Sequence, residues 1–118
     1  MYRMAVPQLA GKLGGIQYGQ AARSWTGGGF EWDVVAEATG QDGILLGEVK
    51  WLRKVPTRTE LQAIVAGLRS KGVPAACANL PGPVRHAVFV PRMPSLRGQG
   101  VPADVFFVEA ADVLGVLR

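Results

Sequence analysis

Two apolar runs separated by a turn dominate the hydrophobic pattern of this chain. Over residues 30–38, Phe30, Trp32, Val34 and Ala36 alternate with Glu31, Asp33, Val35 and Glu37, the period of two that marks a half-buried strand. Over residues 44–51, Ile44, Leu45, Leu46 and Gly47 form a continuous apolar stretch, as in a strand covered on both faces, and Glu48-Val49-Lys50-Trp51 closes it. Thr39-Gly40-Gln41-Asp42-Gly43 lies between the runs and predicts a hairpin turn.

The rest of the pattern supplies the flanking elements. Pro56 and the Thr57-x-x-Glu60 capping box open a helix predicted over 58–71. Leu61, Ile64, Val65 and Leu68 recur along it at helical spacing, and Gly72 is its expected stop. Arg58, Gln62, Arg69 and Lys71 are expected on its outer side, the last two facing water. Pro81-Gly82-Pro83 predicts a turn, 86–90 a buried strand, 91–102 a loop, 105–108 a further strand and 110–117 a closing helix. Ahead of the hairpin, residues 1–13 read as a short helix broken by Pro7 and Gly11. Residues 16–26, between Gly14-Gly15 and Gly27-Gly28-Gly29, are expected to hold a short strand. The triple glycine reads as a turn and not a phosphate cradle, because a strand follows it. This order predicts an α/β fold, a mixed β-sheet flanked by helices, in a single domain over 1–118.

The candidate chemistry lies in the hairpin. If residues 38–43 form the loop, Glu37 pairs with Ile44, and the same register sets Asp33 opposite Glu48 and Glu31 opposite Lys50. Facing carboxylates repel unless a cation stands between them. Mg²⁺ is the obvious candidate, since it is held by one or two carboxylates, with waters and substrate phosphate completing an octahedron. Such a metal activates water, and Lys50 could hold the nucleophile or offset charge on the phosphate in the transition state. An amphipathic hairpin with charges on its wet face would carry the same residues with no metal at all.

Trp32-Asp33-Val34-Val35-Ala36-Glu37, followed by Leu45-Leu46-Gly47-Glu48-Val49-Lys50-Trp51, resembles the PD-(D/E)xK nuclease superfamily. More narrowly, Glu31-x-Asp33-Val34-Val35-Ala36 and Gly47-Glu48-x-Lys50-Trp51 resemble the domain found at the C-terminus of archaeal-type ATPases. Arg23-Ser24-Trp25 is similar to an Arg-Trp-Trp element of that family. The specific match spans residues 23–51. The resemblance implies a restriction-endonuclease-like core with Asp33 and Glu48 as metal ligands and Lys50 as the catalytic lysine. Folds of this kind often carry a further Glu on an opening helix, whereas residues 1–30 hold no Asp or Glu. No Gly-x-x-x-x-Gly-Lys-Ser/Thr loop occurs in these residues, so any ATPase is expected as a separate partner.

Composition narrows the choice of partner. Hydrophobic residues make up 48% and charged residues 19% of the 118 positions, which excludes a disordered chain and leaves apolar surface that a homodimer would help to cover. No apolar stretch is long enough for a membrane span, and residues 1–13 lack the apolar segment of a signal peptide, so a cytoplasmic location is expected. The single cysteine, Cys77, rules out an internal disulfide and reads as a small buried residue; His86, the one histidine, reads as scaffold at a strand entry.

The net charge is +4, and its distribution matters more than its size. No acid falls between Glu60 and Asp104, while Arg69, Lys71, Arg85, Arg92 and Arg97 do, and Arg53, Lys54 and Arg58 follow the hairpin directly. A basic rim around a small acidic centre suits a polyanion, with Arg53, Lys54 and Arg58 as candidate nucleic-acid contacts. Aromatic residues are too sparse along the chain to predict base stacking. The leading expectation is hydrolysis of DNA phosphodiesters with Mg²⁺ or Mn²⁺, held by Asp33, Glu48 and the Val49 carbonyl, with Lys50 assisting the attacking water. The alternative is a non-catalytic nucleic-acid-binding module, or an assembly module for an ATPase, on the same fold.

Overall fold

A computed structural model describes residues 2–25, 31–74, 77, 79–92 and 104–117. Phe30, the glycines at 27–29 and the 93–102 part of the expected loop lie outside the described residues. The chain opens with a helical turn α1 (Tyr2–Ala5) and two 3-10 turns, Val6–Gln8 and Ala10–Lys12. Pro7 sits in the first of these, and the helix breaks there, as its missing N–H requires. Then come β1 (Ala22–Trp25), β2 (Glu31–Glu37), β3 (Ile44–Val49), α2 (Arg58–Ser70), β4 (Val84–Val90), β5 (Val105–Glu109) and α3 (Ala110–Leu117). They build one five-stranded sheet in the order β1-β2-β3-β4-β5. The first three strands are antiparallel neighbours; β4 and β5 continue in parallel after crossovers.

The expected register of the hairpin is present. Glu37 pairs with Ile44, and the ladder runs on to Val34 opposite Gly47. Gly40 and Gly43, at φ of 82° and 154°, take the turn conformations that a side chain would resist. The capping box forms as well: Thr57 accepts from the Glu60 amide, and Glu60 accepts from the Thr57 amide.

β3 is central, and Ile44, Leu45, Leu46 and Gly47 are all buried. On one side Leu45 packs with Val34, Ala36, Ala87, Phe89, the 2–13 segment and Val113 of α3. On the other, Ile44 and Leu46 pack with Trp32, Val88, Val90 and the Val65 and Leu68 positions of α2. At Gly47 a Cβ would stand 3.1 Å from both the Ala87 carbonyl oxygen and the Val34 Cβ, so the three strands leave little room for a side chain next to Glu48.

Trp32 does not share a face with Val34 and Ala36, as strict alternation predicts. It packs under α2, while Val34 and Ala36 pack under α1 and α3. The cause is a bulge: from Ala22 to Ser24, β1 advances two residues while its partners on β2 run from Val35 back to Trp32, three residues. The extra residue reverses the alternation at Asp33 and Val34. Among the described residues, no helix is long and apolar enough to cross a membrane.

Candidate functional site

The end of β3 carries the charged triplet. Glu48 keeps the alternation of Ile44 and Leu46 and leaves the strand on the α2 side, where Lys71 follows directly after the helix. Glu48 Oε1 accepts from Lys71 Nζ, and Glu48 Oε2 lies 3.0 Å from Lys50 Nζ. The Lys71 ammonium also donates to the Glu31 carbonyl and stands 4.1 Å from the centre of a Trp32 ring. Trp32 is held in turn by its indole N–H, which donates to the Gly72 carbonyl at 3.0 Å. A carboxylate, a carbonyl and an aromatic face therefore fix one ammonium. The glutamate side chain is 14% exposed, against 23% for Lys71 and 40% for Lys50.

Burial alone would push the Glu48 carboxyl up. The hydrogen bonds from Lys71 and Lys50, and the charges behind them, outweigh burial and hold it below the ordinary carboxylate value. His86, on the same side of the sheet, lies 5.5 Å from the Trp32 ring, and its Nδ1 is buried without a hydrogen-bond partner. Burial, aided by the Arg69 charge, pushes the His86 pKa down against the pull of Asp104 and Glu48, so the imidazole is neutral. Expected as a hydrogen-bonded scaffold residue at a strand entry, His86 lies inside β4, and its buried Nδ1 is left without a partner. Cys77 is buried, and burial raises its thiol pKa.

Asp33 takes a different position from the one its register predicts. Sitting in the bulge, it accepts the Val49 amide hydrogen bond through Oδ2 at 2.9 Å. Its carboxylate thus reaches the Glu48–Lys50 triplet at its middle residue. It also lines a cavity of about 340 Å³ with Tyr2, Arg3, Val34, Val49 and Trp51. Arg3 Nη1 donates to the Asp33 carbonyl at 3.3 Å, and Tyr2 packs edge-on to Trp51 at 5.8 Å between ring centres. Trp51 is 75% exposed. Glu48 and Lys50 are brought together as expected, whereas Asp33 is joined to β3 through the backbone and not through Glu48.

The outer basic residues divide. Arg53 and Lys54 are exposed and line a shallow pocket with Leu52, Val55, Pro91 and Arg92. Arg58, the first residue of α2, is exposed. Arg69 pairs with Asp104 at 2.8 Å. Lys71, expected to face water, faces the site instead. The signal for it was in the sequence: Lys71 lies three residues beyond Leu68 and so continues the helix stripe that meets the sheet. Tyr2 and Arg3 had no such signal, because only the tertiary fold brings the chain's start to Trp51.

Hard-cation chemistry can be weighed against this donor set. Asp33, Glu48 and the Val49 carbonyl are oxygen donors of the type Mg²⁺ takes. As arranged they do not fit it: both Glu48 oxygens hold ammonium groups and Asp33 Oδ2 holds an amide. Among the described residues, no group of three or more His, Cys, Asp or Glu side chains could hold a metal ion. Comparison with protein families, with characterised proteins and with solved structures finds no match to this chain.

Proposed function

We propose that this chain is a restriction-endonuclease-like domain that holds the phosphate backbone of DNA at the end of β3. The observation that carries the reading is the convergence of Lys50 and Lys71 on the single carboxylate of Glu48. Glu48 orders two flexible ammoniums before any ligand arrives, and one surplus positive charge remains for a phosphate oxygen. Arg53 and Lys54, exposed shortly after Lys50 in the chain, add positive charge, and Arg58 adds more at the opposite end of α2 from Lys71. Lysine and arginine contacts to phosphate release counterions, which supplies most sequence-independent affinity.

A second reading, Mg²⁺- or Mn²⁺-dependent cleavage of DNA, rests on the resemblance of Asp33, Glu48 and Lys50 to the PD-(D/E)xK motif and requires Lys50 and Lys71 to give up the Glu48 oxygens they now hold. An assembly role, with a second copy of the chain or with a separate ATPase, rests on composition and the resemblance alone.

One set of measurements separates the two leading readings. Fluorescence anisotropy with duplex DNA at low salt and in chelator is expected to show binding, and Lys50→Gln and Lys71→Gln are each expected to weaken it. Absence of binding by the wild type overturns the proposal. Nicking of plasmid DNA in Mg²⁺ or Mn²⁺ but not Ca²⁺, lost in Glu48→Ala, would establish the cleavage reading in its place.

A further inference from the structure

The cavity beneath Trp51 has features that phosphate binding does not use. At about 340 Å³ it lies at the small end of the range for small-molecule sites. Among the residues that line it are the aromatic Trp51 and Tyr2, the basic Arg3 and the acidic Asp33. Trp51 is mostly exposed, yet it is braced edge-on by Tyr2, which is itself braced by Phe89 at 5.3 Å. A large aromatic ring held in place and left open to solvent is a stacking platform. Of its polar neighbours, Arg3 spends one nitrogen on the Asp33 carbonyl in a long bond, and Asp33 spends Oδ2 on the Val49 amide. Donors on Arg3 and the second oxygen of Asp33 are left to meet a ligand's polar edge.

The charge around the cavity decides what that ligand is. Aromatic rings with a carboxylate could hold a methylated ammonium, but Arg3 in the wall and Arg53 and Lys54 just beyond Trp51 repel a cation. A flat, polar-edged ring attached to an anionic chain satisfies every wall. We propose that this cavity takes an unpaired nucleobase, stacked on Trp51 with its edge toward Asp33 and Arg3. The strand's phosphates then run toward Arg53 and Lys54. The inference rests on the nucleic-acid reading above and adds a preference for single-stranded segments. It reverses the expectation from aromatic spacing, because Tyr2 and Trp51 become neighbours only in the fold.

The test uses the whole chain in chelator, so cleavage plays no part. Three probes are compared: a short single strand, the same strand built from abasic nucleotides, and its duplex. The wild type is expected to bind the natural strand more tightly than the abasic one. Trp51→Ala is expected to remove that advantage, a loss of about 5- to 150-fold for one stacked base, while duplex affinity stays unchanged. Trp51→Phe should retain most of the advantage and Trp51→Leu should not, a comparison that stands even where the alanine variant folds poorly. Equal binding of natural and abasic strands, or an unchanged advantage in Trp51→Ala and Trp51→Leu, overturns the base site and leaves the phosphate reading standing. No binding of any probe overturns both.

Discussion

At Glu48, desolvation competes with two lysines, and the lysines prevail. The sign of the resulting pH dependence follows. A carboxylate whose folded pKa lies below its unfolded value of about 4.3 contributes stability above that pH and loses it as pH falls through the folded value. Chemical unfolding from pH 7 to 3 should therefore show wild-type stability falling most steeply below about pH 4.3. Glu48→Gln should lose about 1–3 kcal/mol at pH 7, where two ammoniums are left without their carboxylate, and should show a shallower acid limb. Equal acid limbs in the two proteins would mean that the ion pairs contribute nothing. His86 acts with the same sign in a higher window. Its folded pKa is depressed, so protonation favours the unfolded chain as pH falls below about 6.5. The identity of Glu48 and Lys50 as the charged pair of the site was legible in the sequence. Lys71 was hidden because a lysine at the end of a helix ordinarily faces water, and only its register on the Leu61–Leu68 stripe said otherwise.

At the scale of elements, local chemistry and hydrophobic period agree in α2 and disagree in β2. In α2 the capping box sets the start, and Leu61, Val65 and Leu68 are buried. The sequence therefore sufficed to place its ends within a residue or two. Leu68, 1% exposed, should cost about 2–5 kcal/mol when replaced by alanine, against about 0.5–2 kcal/mol for Thr57→Ala, which removes only the cap. Urea unfolding of the two variants measures both. A Leu68→Ala loss no larger than that of Thr57→Ala would show that the helix is held by its cap and not by packing on Ile44, Leu46 and Val88. In β2 the letters permit two alternations. Val34, Val35 and Ala36 are all apolar, so a phase change after Trp32 still buries an apolar residue on each side. The bulge at Asp33 left no mark that a period of two could detect. The expected Asp33–Glu48 pairing failed at the level of side-chain direction while the backbone register held.

For the whole molecule, the order of strands and helices could be read from the sequence because turn residues, the α2 capping box and changes of hydrophobic period mark the elements off. The juxtaposition of Tyr2 with Trp51 could not, since it depends on which side of the sheet the start of the chain covers. Charge behaves in the same way. The net +4 states only that the molecule is basic. The fold spends Arg69 on Asp104 and Lys12 on Asp112, and it sets Lys71 at the site. Arg53, Lys54 and Arg58 remain exposed, Arg58 at the opposite end of α2 from Lys71. If these three meet phosphates, each contributes about 0.9 to the slope of log affinity against log salt on duplex DNA. Replacing all three by glutamine should lower that slope by up to about 2.7 and weaken binding across sequences alike. Trp51→Ala should leave the slope untouched, because stacking releases no counterions. An unchanged slope in the triple variant, with binding intact, would place the phosphate path elsewhere on the sheet and confine the role of β3's end to Lys50, Glu48 and Lys71.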